Sequence, residues 1–347
     1  MKTDVVIIGA GPTGLSLACH LVRYGVDFII IEQKESVTPY SKAIGVHART
    51  LEIYEQIGLA NFEQDEGEVL YEEIERRIKE EAEFELDVTR VEWFSIYKVH
   101  SRHVNEFSSG RCFLAGDAAR VHTPAGGQGM NTGIQDGYNL AWKLALVVQG
   151  KADKKLLETY NEERLENAKH LLQTTDRIFQ FAAGSGWFLA FLRTDVLPPI
   201  AKYILDVDWV KSFVFPLLSQ IGINYRHGSL SLHAGDENFK VKAGDRMPYF
   251  LVDGASIYNK LREPRFHLLV FSDAHDDFQA LKTKLENEYA ESVDFNLISL
   301  DSQAAEIFGA NKSFSLLLRP DNYIGFISQE TSLGELRSYL NKFVGYS

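Results

Sequence analysis

Six consecutive residues, Gly9-Ala10-Gly11-Pro12-Thr13-Gly14, form the first pattern in this chain whose types and spacing could do chemistry. Gly9 and Gly11 allow a backbone to come close to a pyrophosphate, and Gly14 allows a helix to pack tightly on a strand. Pro12 opens a helix without losing a hydrogen bond. A helix starting there offers an anion unsatisfied N–H groups and the positive end of its dipole. Glu32 follows about 20 residues on, where a carboxylate can hold the hydroxyls of an adenosine ribose.

A second concentration of chemistry spans residues 110–145, GRCFLAGDAARVHTPAGGQGMNTGIQDGYNLAWKLA. Its strand is expected to end at Ala115-Gly116-Asp117 and its helix to run from about Gly129 to Val148. Gly126, Gly127 and Gly129 make a turn whose backbone can lie against a flat ligand, and Asp117 can accept from ligand hydroxyls. The stretch reads either as a second cofactor-binding corner or as a turn that only packs a helix. Arg49, near the start of the amphipathic segment HARTLEIYEQIG (47–58), is either a solvated charge or a partner for dinucleotide phosphates.

The elements that must position these residues follow from periodicity. DVVIIG (4–9) and DFIIIE (27–32) read as buried parallel strands around a helix at 13–24, the opening unit of a doubly wound α/β fold. Residues 61–85 read as an acidic loop and a polar, solvated helix, 91–99 (VEWFSIYKV) as a strand, and Arg111 to Ala115 as another. The apolar stretch from Ile178 to Tyr225 is broken by charges and prolines and reads as packed helices rather than a membrane span. Beyond residue 235, FHLLVFS, DFQALKTKLENEY, VDFNLISL, SFSLLLRPDNYIGFI and SLGELRSYLNKF alternate strand and helix, which suggests a thioredoxin-like α/β domain.

Composition narrows the function classes. The 347 residues are 45% hydrophobic and 24% charged, which suits a globular chain with a sizeable core. A formal net charge of -12 argues against a general nucleic-acid binder. MKTDVVIIGAGPTG lacks the features of a signal peptide, so a cytoplasmic location is expected. Cys19 and Cys112 form no CxxC and are expected to be buried apolar residues; no metal-ligand spacing occurs. His100, His103 and His122 have no partner pattern for acid or base work, and Trp142 and Trp187 read as core residues.

Gly9 to Gly14, Glu32, Arg49 within HARTLEIYEQIGL, and above all GDAARVHTPAGGQGMNTGIQDGYNLAWKLA closely resemble the group A flavoprotein monooxygenases, the aromatic hydroxylases that include p-hydroxybenzoate, phenol and polyketide hydroxylases. The resemblance covers roughly residues 1 to 60 and 90 to 175. It implies FAD as cofactor, held by Gly9, Gly11, Pro12, Thr13, Gly14, Glu32, Arg49, Gly116, Asp117, Pro124, Gly127, Gly129, Met130 and Asn131. By the same resemblance Asp117 binds the ribityl or phosphate region, Pro124 lines the ring face, and Gly127 to Asn131 hold the isoalloxazine edge. The dipole of the following helix would stabilise negative charge on reduced flavin. NADPH or NADH then reduces the flavin, O2 adds at its C4a, and the hydroperoxide hydroxylates a small phenolic or polyketide-like ring, with no protein nucleophile. Arg120, where relatives often carry His, changes the charge near the flavin entrance.

The implied organisation is an FAD-binding Rossmann-like domain at 1–175, a helical connector at 176–232 and a thioredoxin-like domain at 233–347 with a structural or subunit-contact role, compatible with a homodimer. One departure matters. The family places a large substrate-binding sheet between the Arg49 helix and the GDAA strand, whereas Ala60 to Ser109 supplies only about 50 residues, too few for an independent domain. Two readings follow: a hydroxylase with a compact substrate site between the flavin corner and the apolar helices, or a catalytically impaired FAD-binding scaffold. A plain NAD-dependent dehydrogenase accounts for the first motif but not the second.

Overall fold

A computed structural model of the chain describes residues 2–35, 45–59, 101–121, 127–183, 191, 219–234, 239–272, 278–329 and 333–343. The readings for 61–85 and 91–99, and most of that for 178–225, lie outside those residues. β1 (Val5–Ile8), α1 (Pro12–Arg23) and β2 (Phe28–Ile31) form the expected unit, with β1 and β2 parallel and in register from Val5 opposite Phe28 to Ile8 opposite Ile31. α2 (Ala48–Gln56) follows. Short strands β3 (Arg102–His103), β4 (Ser108–Ser109), β5 (Cys112–Phe113) and β6 (Arg120–Val121) pair as β3 with β6 and β4 with β5, and a 3-10 turn, Gly116–Ala118, sits between β5 and β6. α3 (Gly129–Val148) and α4 (Glu158–Ala183) complete the first half.

The second half is built on a five-stranded sheet. After β7 (Leu232–Ala234) and the hairpin of β8 (Leu251–Val252) and β9 (Ala255–Ser256) come β10 (Phe266–Ser272), α5 (Gln279–Tyr289), β11 (Val293–Ser299), α6 (Ser302–Phe308), β12 (Phe314–Leu318), β13 (Ile324–Ser328) and α7 (Leu333–Phe343). Strand order is β11-β10-β12-β13-β7, with β10 parallel to β11, β12 antiparallel to both β10 and β13, and β7 parallel to β13. β10, β12 and β13 are buried throughout, as central strands covered on both faces must be. One face packs Phe250, Phe271, Phe308 and Phe314, with Phe271 and Phe314 stacked at 4.5 Å. The other packs Phe266, Leu268, Val270, Leu336 and Leu340 against Trp142 and Leu146 of α3.

α3 therefore serves two cores. Leu140, Ala141 and Ala145 meet Leu17, Ala18 and Leu21 of α1, while Trp142 meets Phe266 edge-on at 5.7 Å. A helix enclosed on all sides has no surface on which to place charge, yet Asp136 and Lys143 sit within it, both 0% exposed. Lys143 donates from Nζ to Glu163 of α4 at 2.7 Å. The other Glu163 oxygen takes Arg319 Nη1 at 2.5 Å, and Arg319 Nη2 reaches Asp321 at 2.6 Å. Asn139 closes the group, donating to Glu163 at 2.8 Å and Asp321 at 3.1 Å. Two cations and two anions balance inside the protein, and each is hydrogen-bonded, the condition under which buried charge is tolerated.

Several expectations are corrected. β1 and β2 are not fully buried: Val6, Ile8 and Ile31 are 52%, 86% and 54% exposed, because Val5, Ile7, Phe28 and Ile30 supply the face that packs on the first-half core. The strand expected over Arg111 to Ala115 shrinks to Cys112–Phe113, since its partner β4 is equally short. Cys19 and Cys112 are exposed: the buried stripe of α1 runs through Leu17, Ala18 and Leu21 and leaves Cys19 outside it. α4 continues to Ala183 and β7 occupies Leu232–Ala234. Trp142 is a core residue as expected, and Trp187 is outside the described residues. No helix among the described residues is long and apolar enough to cross a membrane.

Burial alone would raise the Glu163 carboxyl, but Arg319 and Lys143 overcome it and hold it at about 2. A depressed carboxyl adds stability above its unfolded value and loses it as pH falls toward the folded one. Glu163→Gln should therefore cost about 3 to 5 kcal/mol near neutral pH. Urea unfolding from pH 7 downward should show the gap to the wild type narrowing below about 4.5.

Candidate cofactor site

The loop after β1 is shaped by two glycines. Gly9 adopts φ +106°, a conformation side chains rarely reach, and donates its N–H to the Ile31 carbonyl at 2.8 Å, which joins the loop to the end of β2. A Cβ on Gly14 would lie 2.0 Å from the Gly9 carbonyl oxygen, so the close helix–strand approach demands glycine there. At Gly9 and Gly11 a Cβ would meet nothing within 4 Å. That open space lies in front of the N-terminus of α1, whose N-cap Gly11 provides no side-chain cap and whose first turn carries no acidic residue.

Glu32 stands at the same mouth. Its carboxylate accepts from Ala10 N–H at 2.7 Å and Lys34 N–H at 3.0 Å. Those N–H groups, Lys34 first and then Ala10, lower its pKa. Each oxygen keeps lone pairs for a ligand hydroxyl.

The second corner is organised by Asp136, about two turns into α3. It is 0% exposed and accepts from Gly116 N–H at 2.8 Å, Arg120 Nη1 at 2.7 Å and Arg164 Nε at 2.7 Å. Burial would raise its pKa, but Arg120 and Arg164 lower it. The bond to Gly116 holds that residue at φ +60° and leaves the next one, Asp117, on the surface. Among the described residues the Asp117 carboxylate has no partner, so its oxygens are free to accept from a ligand. Arg164 also donates to Tyr225 at 2.6 Å.

α3 begins with Gln128 as N-cap, again with no side-chain cap and no acid in its first turn, and Gly127 before it has φ +60°. Gly129 and Met130 form the first turn of the helix, Met130 packing on Ile53, Ile134 and Tyr138. Asn131 is committed within the chain. Its Oδ1 accepts from His47 N–H and Thr50 Oγ1, each at 2.8 Å, and its Nδ2 donates to the Gly45 and Gly127 carbonyls at 3.0 and 3.1 Å. With both donors and both lone pairs used, its side chain holds the entry to α2 against the turn before α3.

Arg49 is 1% exposed, which removes the solvated alternative. Its Nη1 pairs with Glu52 at 3.0 Å, its Nη2 donates to the Asp321 carbonyl at 2.8 Å, and its plane lies 5.1 Å from the Tyr323 ring. As placed, its terminal nitrogens face the protein interior. Arg120 is likewise buried on Asp136, so its charge is spent internally rather than at an entrance. Pro124, Gly126, His100 and His122 lie outside the described residues. His103 is exposed, its Nδ1 against the Val104 carbonyl at 2.7 Å.

The sequence reading did not single out Asp136, Glu163 or Arg164. The signal was available: Asp136, Asn139 and Lys143 recur at i, i+3 and i+7 in a helix otherwise rich in apolar residues and glycine, a polar stripe that must meet partners.

Comparison with known proteins gives a family. The FAD binding domain family matches residues 2–69 and 60–175. The 6-methylpretetramide 4-monooxygenase of Streptomyces rimosus is 32% identical over 279 residues, 73% of this chain and 48% of that protein. Pentachlorophenol 4-monooxygenase of Sphingobium chlorophenolicum is 31% identical over 252 residues, 67% of this chain and 45% of that protein. The chain thus spans about half the length of the curated relatives it matches. In fold it resembles an aromatic hydroxylase from angucycline biosynthesis, with a TM-score of 0.72 at 21% identity, covering 100% of each chain. The anhydrotetracycline hydroxylase of Streptomyces rimosus gives 0.70 at 22%, again covering 100% of each.

The glycine geometry separates two substitutions. Gly14→Ala places a methyl against fixed backbone and should lower stability by about 1 to 3 kcal/mol, whereas Gly11→Ala at φ -74° should unfold within a few tenths of a kcal/mol of the wild type in the absence of any ligand. Thermal melts of the two variants check this contrast.

Proposed function

This chain belongs to the FAD binding domain family whose members include flavin-dependent aromatic and polyketide monooxygenases, and on that premise we propose that it binds FAD and serves as an aromatic hydroxylase using NADPH or NADH and O2. The observation that carries the reading is the open space before Gly9 and Gly11, bounded by an uncapped helix N-terminus and by the Glu32 carboxylate. These groups suit a dinucleotide: N–H groups for phosphate, a carboxylate for ribose hydroxyls.

FAD, when bound, supplies the redox chemistry, taking electrons from the nicotinamide cofactor and delivering them to O2 for oxygen insertion into the ring. The chain's own residues bind and orient. Backbone at Gly9, Gly11, Pro12 and Thr13 faces the pyrophosphate, Glu32 the adenosine ribose, and Asp117 the ribityl or phosphate region. Gly127, Gly129 and Met130 present backbone to the isoalloxazine edge, where the uncapped N-terminus of α3 favours negative charge. Asn131 contributes by holding the turn. A phosphate role for Arg49 requires exchanging its contacts to Glu52 and Asp321 for the ligand.

The first half reads as Rossmann-like on its β1-α1-β2 unit. The second half reads as thioredoxin-like: two parallel strands joined through a helix, then an antiparallel hairpin and a last helix. Both cysteines lie in the first half, so a thiol redox role is not part of this proposal.

A second reading has one observation in its favour. Val6, Ile8 and Ile31 expose one face of a parallel sheet, an arrangement that parallel sheets otherwise bury, and a binding scaffold needs no sealed cavity. The readings part on a single assay. Purified protein mixed with FAD and freed of excess should keep a stoichiometric visible flavin band, and phenols should then speed NAD(P)H oxidation. A retained band without stimulation supports the scaffold, and loss of the band refutes both. Gly11→Ala, folded as the wild type, should bind FAD at least about tenfold more weakly, because its methyl occupies the phosphate's space.

A further inference from the structure

The side chain of Thr13 lies where the two glycine corners meet. A Cβ on Gly116 would fall 2.5 Å from Thr13 Oγ1 and 3.2 and 3.3 Å from its Cβ and Cγ2. A Cβ on Gly133, one turn into α3, would fall 2.3 Å from the same Oγ1 and 3.4 Å from the Gly116 Cα. One turn further, a Cβ on Gly137 would meet Leu17 N at 2.9 Å and the Thr13 carbonyl at 3.0 Å. Three glycines from the second motif thus surround one threonine of the first, and none of the three positions has room for a methyl group.

We propose that Thr13 is a positioning residue: seated against Gly116 and Gly133, it sets the distance between the two glycine corners and so determines the affinity for FAD. The inference rests on the reading of both corners as one FAD site. Thr13 lies between Gly11 and Gly14 of the first loop, Gly116 directly precedes Asp117, and Gly133 follows the turn at Gly127 to Asn131 within the first helical turns. A dinucleotide reaching from Gly11 to Asp117 and Gly127 has one length, so a change at this joint misplaces one corner relative to the other. Thr13 is suited to the task because two heavy atoms on its Cβ restrict χ1, and rotation brings one or the other toward Gly116. Packing at α1 and α3 on both sides of the joint leaves the helices no easy way to part.

The test is a double-mutant cycle on the full chain, comprising the wild type, Thr13→Ala, Gly133→Ala and the two combined. FAD dissociation constants come from quenching of flavin fluorescence, and visible circular dichroism reports how the ring is held. Gly133→Ala should weaken FAD binding by about tenfold or more and change the dichroism. Thr13→Ala should restore it in the double variant to within about threefold of Thr13→Ala alone, because removing Oγ1 and Cγ2 makes space for the new methyl. Should Gly133→Ala fail to fold, the double variant carries the comparison, and a double variant that neither folds nor binds overturns the proposal. Gly133→Ala binding FAD as the wild type does, or a deficit that Thr13→Ala leaves in place, overturns it as well. A wild type that retains no FAD overturns the cofactor reading and this inference together, whereas the two preceding outcomes overturn this inference alone.

Discussion

The cluster of Lys143, Glu163, Arg319, Asp321 and Asn139 is the constraint on which the two halves depend. Its members come from α3, α4 and the turn between β12 and β13, and all are nearly or wholly inaccessible to water. Ion pairs at this depth give little net stability compared with apolar packing, because desolvation offsets most of the attraction. Their effect lies in specificity: any alternative docking of the second half separates Arg319 from Glu163 and Asp321 from Asn139, leaving buried charges short of hydrogen-bond partners at a cost of several kcal/mol. Arg49 adds to the same arrangement, reaching from α2 to the Asp321 carbonyl.

A second constraint is distance of approach. α1 crosses α3 through positions where only hydrogen fits, and α3 in turn carries Asp136, which fixes the Gly116 turn. The two corners are thereby referred to a single rigid crossing rather than to separate loops. Placing a binding surface on helix ends held this way gives positional accuracy that freestanding loops lack.

Much of this was legible locally. β1, α1 and β2 follow from β-branched runs and glycine chemistry, the start of α3 from the glycines before it, and the strands and helices of the second half from their periodicity. α6 was missed although its signals were present: Asp301 caps its first turn through Ala304 N–H at 2.8 Å, and Gly309 ends it at φ +68°. Seven residues are too few for a period to show. What no local pattern could report is partnership at long range. The burial of Arg49 and Arg120 was not legible because their contacts to Asp321 and Asp136 are named only by the fold, and the structural commitment of Asn131 was not because three of its four bonds reach back to residues 45–50. The exposed face of β1 and β2 was missed for a related reason, since an apolar run does not say how many of its neighbours are present.

The spacing of the buried charges along the chain also bears on how the protein is made. Glu163 and Lys143 leave the ribosome long before Arg319 and Asp321, and at about 5 to 20 residues per second the interval is some tens of seconds at the slow end. During it the first half holds an anion and a cation meant for four-way pairing, together with the side of Trp142 and Leu146 that β10 and α7 later cover. The nascent first half therefore cannot reach its final core ahead of the second, and the side of Trp142 and Leu146 remains available to chaperones until synthesis passes the Arg-Pro-Asp turn.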